Sequence, residues 1–369
     1  MCSAPLMHHS RKLDVVRHFT PNWFTVTMGT GVLALLLAPY PALRLVAEGV
    51  WVANIGLFAL FTLLYAARWA LFPREAALIF AHPVMPMFLG AIPMGFATLI
   101  NGTVVFAHAY NLALTLWNID AALAVLVGLG VPFAMFTRQR HALETMTAVW
   151  LLPVVACEVA AASAGGLAPY MPAAQALALV VEGYALWALS VPLAFGILAI
   201  LFMRLVLHKL PAPEMGVTSW LAVGPLGTGA LALLLLGQAA PAALAPAGLE
   251  SAATVAQGGG LIGGLIIWAY GAWWLLLAMG MTLTHIPRGL PFNMGWWGFT
   301  FPFGVFILAT RALAAQTHLA GFALATHGLT ALFTLLWLMV AGRTLAGAYS
   351  GHLFVSPCLL AARAKAREA

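Results

Sequence analysis

The sequence predicts an all-α integral membrane protein: ten transmembrane helices arranged as five helical hairpins, the odd helices bent at Gly/Pro and lining a central pore. Composition and the placement of basic residues both lead there. Of 369 residues, 63% are hydrophobic and 7% charged, whereas soluble domains carry about 25% charged residues. Crossing the hydrocarbon core takes about 20 apolar residues of helix, and backbone facing lipid must satisfy its own hydrogen bonds, which leaves helices and closed barrels. Barrels need short alternating strands. Here the apolar runs are long and continuous, rich in Leu and Ala and punctuated by Gly and Pro.

In chain order the runs define α1 at 20–38, α2 at 50–72, α3 at 84–107, α4 at 111–136, α5 at 148–168, α6 at 176–203, α7 at 217–237, α8 at 252–284, α9 at 294–316 and α10 at 320–349. The stretch from Phe19 is long enough to span and lacks a small-residue cleavage pattern, so α1 is expected to remain as a helix and not to leave as a signal peptide. Alternate spans share a character. Helix α3 carries Gly90, Pro93 and Gly95, α5 carries Pro153, α7 reads Val223-Gly-Pro-Leu-Gly-Thr-Gly229 with Pro225, and α9 reads Phe299-Thr-Phe-Pro-Phe-Gly304. Helix α1 has no central Pro but holds Gly29 and Gly31 within Met-Gly-Thr-Gly. The even helices are mostly unbroken, with Pro132 in α4 and Pro192 in α6 as exceptions. A mid-helix Pro removes a backbone hydrogen bond and bends the helix at a cost of about 3 kcal/mol. Any single Pro is accounted for by the general enrichment of Gly and Pro in membrane helices. Their recurrence at similar depth predicts an inner ring of bent odd helices around a central path.

Short cytoplasmic loops collect Lys and Arg. With the N-terminus inside, the cytoplasmic segments hold Arg11, Lys12, Arg17, Arg68, Arg74, Arg138, Arg140, Arg204, Lys209, Arg288, Arg343, Arg363, Lys365 and Arg367, which leaves only Arg44 and Arg311 outside among the 16 basic residues. A missed or invented span would scramble this alternation. It therefore predicts a cytoplasmic tail at 1–18, a ten-helix transmembrane domain at 19–350, a cytoplasmic tail at 351–369 and residence in the cell's inner (plasma) membrane. The net charge of +6 is explained by this topology and by anionic headgroups, so the bilayer, not nucleic acid, is the expected partner. Cys2, Cys157 and Cys358 make no CxxC or zinc spacing, so neither disulfide nor metal is expected, and no cofactor.

The segment His18-Phe-Thr-Pro-Asn-Trp-Phe-Thr-Val-Thr-Met-Gly-Thr-Gly31 resembles the first helix of the tellurite-resistance/dicarboxylate transporter family, and Trp296-Trp-Gly-Phe-Thr-Phe-Pro302 resembles its ninth. The tail Gly351-His-Leu-Phe-Val-Ser-Pro-Cys358 also fits. That family includes malate transporters, sulfite exporters, tellurite-resistance proteins and plant slow anion channels. The resemblance implies odd helices lining a pore, assembly as a homotrimer with one pore per subunit, and a phenylalanine of α9 that plugs the pore. The matching position is Phe301, before Pro302, with Phe299 as the nearest rival.

Ionisable residues inside a membrane are functional candidates because a carboxylate at a helix centre costs about 2.5–3.5 kcal/mol. Glu158 follows Pro153 on the path-lining α5, while Asp120 and Glu182 lie on the outer α4 and α6. Beside an anion path Glu158 would have to be protonated, paired or rotated away, and a protonated acid would bring proton coupling. Arg311 lies about 13 Å beyond Pro302 at 1.5 Å per residue, suited to an outer vestibule shared with Arg44, or to an interfacial role beside headgroups. No Lys or Arg is expected at mid-depth. Weak coordination by Thr25, Thr27, Thr30, Thr228, Thr300, Asn101 and backbone dipoles suits conduction, where binding must be loose enough for release. Small anions fit that pattern, whereas the His18 to Gly31 motif leans toward the malate and sulfite branches. C4-dicarboxylate or sulfite transport, a passive chloride or nitrate channel, and proton coupling all stay open. A haem or redox protein would need paired histidines at matched depth, and His82, His108, His285, His318, His327 and His352 mostly fall at predicted interfaces. An intramembrane hydrolase would need HExxH or a nucleophile context that is absent around Ser163. No enzyme activity is expected.

Overall fold

The computed structural model describes residues 13–368, so the calls on Cys2, Arg11 and Lys12 lie outside the described residues. All regular structure among these residues is helical. The apolar elements are α1 (Pro21–Leu37), α2 (Pro41–Leu71), α3 (Met85–Ala107), α4 (Tyr110–Arg138), α5 (Ala148–Tyr170), α6 (Ala173–His208), α7 (Pro213–Ala247), α8 (Glu250–His285), α9 (Met294–Thr317) and α10 (Ala320–Ser350). Nine described helices, α2 to α10, are long and apolar enough to cross a membrane, and α1 is shorter. Helix α2 starts well before the expected residue 50, because Pro41 opens a 3-10 turn that runs directly into the α-helix from Arg44. Short helices at Leu13–His18 and Pro357–Glu368 flank the spans.

Burial separates odd from even. In the most apolar window of α3, α5, α7 and α9, 72–94% of residues are buried, against 11–33% in the even helices. Every residue of α1 from Phe24 to Leu37 is buried. Packing contacts run α1 to α3, α3 to α5, α5 to α7, α7 to α9 and α9 back to α1, a closed inner ring. Each even helix packs into the groove between two consecutive members of that ring, with α10 closing the circle between α9 and α1.

The expected mid-helix bends take another form. Each odd helix enters through a 3-10 segment and then becomes α-helical: at Phe24 in α1, Ala91 in α3, Leu152 in α5, Val223 in α7 and Trp297 in α9. Pro93, Pro153 and Pro225 fall within the first three residues of those α segments. The first four N–H groups of an α-helix have no i−4 partner, so Pro there forfeits little and marks a change of helix type. Only in α9 does the predicted Pro, Pro302, sit inside the α segment.

Small residues allow the ring to close. A Cβ on Gly165 would stand 2.7 Å from the backbone N of Leu236, joining α5 to α7, and one on Gly227 would stand 2.8 Å from the backbone N of Phe306, joining α7 to α9. Gly29 faces Thr300, and Gly31 faces Thr98 and Asn54. The outer ring is tied on by indoles. Trp51 of α2 donates to the Leu99 carbonyl of α3 at 3.2 Å, Trp117 of α4 to the Ala160 carbonyl of α5 at 2.8 Å, and Trp187 of α6 to the Gly229 carbonyl of α7 at 3.0 Å. Trp268 of α8 donates to the Thr310 hydroxyl of α9 at 2.8 Å, and Trp337 of α10 to the Thr30 hydroxyl of α1 at 3.3 Å. Each even helix thus sends one indole N–H to the following odd helix.

At the ends facing the N-terminus, Arg68 joins three segments: it donates to the Phe19 carbonyl and to the Ser356 hydroxyl, and Trp23 stacks on Phe354 at 4.7 Å. Arg17 pairs with Glu75, and that hydrogen bond raises the Arg17 pKa.

Because Gly227 meets backbone and not a flexible side chain, Gly227→Ala is expected to destabilise the fold by about 1–3 kcal/mol. Thermal unfolding in detergent should show it, with the exposed Gly130→Ala unchanged; equal melting of the two variants would remove this contact as a constraint.

Candidate functional site

All five inner helices contribute to one cavity on the axis of the ring. It is lined by Thr25 and Met28 of α1, Phe88 and Met94 of α3, Leu151, Leu152 and Val155 of α5, Leu221 and Gly224 of α7, and Trp297, Gly298, Phe301 and Pro302 of α9. Its volume is about 20 Å³, room for about one water. The lining clusters around the five junctions between 3-10 and α geometry, so those junctions set the depth of the cavity. No charged side chain lines it among the described residues.

The predicted residues separate into those on the cavity and those beside it. Thr25, Phe301 and Pro302 line it. Phe299 instead packs on Trp220 and Trp296, with ring centroids 5.7 and 6.3 Å apart. Gly29 and Thr300 meet each other between α1 and α9, Thr27 abuts Gly95 of α3, and Thr30 takes the Trp337 indole. Gly31 lies against α3, Pro153 against Gly90, and Pro93, Pro225 and Thr228 are buried in their helices without lining this cavity.

Hydroxyl protons near the junctions are already committed. Thr25 donates to the Asn22 carbonyl at 2.6 Å, Thr27 to Phe24 at 2.7 Å, Thr98 to Gly95 at 2.7 Å and Thr300 to Trp297 at 2.8 Å. Each of these bonds runs to the backbone carbonyl three residues back, a local side-chain-to-backbone pairing. An anion on the axis would have to compete for the Thr25 proton, which keeps coordination weak. The Thr228 hydroxyl, by contrast, is buried without a hydrogen-bond partner. Asn101 spends an amide proton on the Ser163 hydroxyl at 3.0 Å, linking α3 to α5.

Charged candidates lie off this cavity. Arg311 donates to the Leu35 carbonyl in the last turn of α1 at 3.0 Å, and lines a separate crevice of about 350 Å³ with Tyr40 and His327. Arg44 donates to the Val105 carbonyl near the end of α3 at 2.6 Å and lies over the Phe106 ring at 4.7 Å. Both guanidiniums therefore meet the negative ends of inner-ring helices. Glu158 is fully buried, and apart from Ser190 beside it its carboxyl has no hydrogen-bond partner among the described residues. One oxygen would lie 3.4 Å from a Cβ on Gly229, so the side chain fits where α7 has no side chain, and it does not line the axial cavity. Asp120 is buried on α4 and unpartnered among the described residues, while Glu182 is exposed on α6.

Sequence reasoning missed ten of the thirteen lining residues, Met94, Leu152 and Trp297 among them. Trp297 lies inside the recognised α9 motif and Leu152 directly precedes Pro153, so proximity to those landmarks was the available signal. Met94 carries none, since it reads as an ordinary core residue.

A family model described as voltage-dependent anion channel (SLAC1) matches residues 18–345. A sulfite efflux pump of Trichophyton rubrum is 38% identical over 366 residues, covering 94% of this chain and 96% of the fungal protein. A sulfite efflux pump of Arthroderma otae is 37% identical, covering 92% and 93%. The malic acid transport protein of Schizosaccharomyces pombe is 23% identical, covering 91% and 79%.

Since the Glu158 carboxyl sits off the axial cavity, Glu158→Gln is expected to keep anion flux in proteoliposomes, without a pH gradient, within about twofold of the parent. A tenfold loss in correctly folded protein would put the carboxyl on the path.

Proposed function

The chain belongs to the SLAC1 voltage-dependent anion channel family, and from that premise we propose that it moves a small sulfur oxyanion, sulfite in its hydrogen-sulfite form, along the axis of the inner ring with Phe301 as the gate. Anion transport across a membrane is the activity of the family. The observation that carries the finer reading is the axial cavity, where all five inner helices converge on a lining with Phe301 in it and no fixed charge.

A narrow apolar constriction resists a hydrated anion because no lining group replaces lost water, and such constrictions gate by dewetting. Swinging the Phe301 ring aside would widen the constriction at the place where Thr25 offers a hydroxyl. A singly charged, compact oxyanion loses less hydration there than a dianion does. The fungal sulfite pumps, at 37–38% identity, agree with that preference. A C4-dicarboxylate is the second reading, supported by the malic acid relative, but two carboxylates on an axis without a cation would be poorly compensated. The uncharged lining is equally compatible with passive chloride or nitrate passage, which the anion panel separates. Proton coupling rests on the buried carboxyl of Glu158 and predicts that a pH gradient drives uptake in the parent but not in Glu158→Gln. The same reading includes ten spans in five hairpins, both termini cytoplasmic, a plasma-membrane address and a homotrimer, the last on family resemblance alone.

Phe301→Ala is expected to raise sulfite flux in proteoliposomes by about tenfold or more, with Phe299→Ala close to the parent and with sulfite ahead of malate, chloride and nitrate. Unchanged flux in inserted Phe301→Ala protein would refute the gate. For topology, in a background with Cys2 replaced by Ser, an impermeant maleimide should label Glu250→Cys on intact cells and Arg74→Cys only after permeabilisation. The reverse pattern would invert the orientation.

A further inference from the structure

A second cavity, of about 630 Å³, lies away from the inner ring. It opens between the segment ahead of α3, the link from α4 to α5 and the helix Pro357–Glu368, with His82, Arg138, Arg140 and Cys358 among its lining residues. Local structure makes it basic. Arg138 ends α4 and Gln139 continues in extended backbone at φ −117°, ψ 154°. Side chains alternate along extended chain, and Gln139 turns toward the body of the protein, donating to the Phe80 carbonyl at 3.1 Å and meeting the His141 ring at 2.9 Å. The guanidinium-bearing residues on either side of it both reach the cavity.

His82 adds a third donor. Its Nδ1 accepts the backbone N–H groups of Val84 and Met85 at 3.1 and 3.2 Å, which places the imidazole proton on Nε2. Burial lowers the His82 pKa, so the ring stays a neutral donor near neutral pH, and burial pushes the Cys358 thiol up to about 11, so no thiolate opposes an anion. No carboxylate lines the cavity among the described residues, and Leu78 and Pro83 supply an apolar wall. Beside Arg138, Phe133 and Phe136 on α4 are 65% and 81% exposed, as lipid-facing side chains are. Two guanidiniums and an imidazole N–H facing one space form the donor set that suits phosphate oxygens. The volume exceeds what a bare phosphate fills, and the apolar wall suits the glycerol and upper acyl portion of an amphiphile.

We propose that this cavity is a binding site for a phosphate-bearing ligand, carried on an anionic lipid headgroup or free in the adjoining aqueous phase. It shares no residue with the axial cavity, so it stands whether or not sulfite is the transported anion.

The test uses the full-length protein in detergent, with short-chain phosphatidylglycerol, short-chain phosphatidylcholine and inorganic phosphate as probes, read by lipid retention in native mass spectrometry and by melting temperature. The parent should hold phosphatidylglycerol over phosphatidylcholine, and the exposed double variant Arg138→Gln, Arg140→Gln should lose on the order of thirtyfold of that preference, at about one surface charge's worth of attraction per arginine. Displacement by millimolar inorganic phosphate would assign the free ligand, and no displacement the lipid. Equal retention of the two lipids by the parent, together with no shift in melting by phosphate, would overturn the proposal, as would a preference that the double variant keeps. If the double variant fails to fold, salt titration of the parent decides: a preference that persists at 1 M salt, where the screening length falls to about 3 Å, overturns it, and one that collapses supports it.

Discussion

Inside hydrocarbon there is no hydrophobic force to press one apolar helix against another, so the inner ring can close only where backbones come near enough for dispersion and hydrogen bonds to act. In α5, α7 and α9 that approach is set by Gly165 and Gly227, each facing the backbone of the next helix with no space for a Cβ. The outer helices then cover the ring. One indole from each reaches inward to a carbonyl or hydroxyl of the following odd helix, which gives that Trp a polar partner while its ring packs in apolar surroundings.

The shift from 3-10 to α geometry in each odd helix links this packing to the candidate path. It brings Pro93, Pro153 and Pro225 to positions where a missing N–H is harmless, and near it Thr25, Thr98 and Thr300 turn their hydroxyls onto their own helix backbone. Five such junctions at one depth surround the axial cavity. Stretches of 3-10 within a helix often coincide with hinges, and here they surround the axial cavity.

Charge is kept off that axis and used at helix ends. Arg311 and Arg44 meet the final turns of α1 and α3, and Arg68 gathers the chain before α1 and the segment after α10 onto α2. Arg138 and Arg140, at the edge of the molecule, line a separate cavity. The linings of the two cavities share no residue.

The membrane class, the helical architecture and the difference between odd and even spans were legible in the sequence, because bilayer thickness and the backbone's need for hydrogen bonds act on composition and spacing directly. The α9 motif also drew attention to Phe301, though sequence alone left Phe299 as its rival. What only the tertiary structure decided was rotation and helix type. A helix buried on all sides, such as α1 or α5, has no amphipathic stripe to show which face meets the axis. For that reason the direction of Glu158, the separation of Phe301 from Phe299, and the use of Arg44 and Arg311 at helix ends depended on which neighbours the closed ring put beside them.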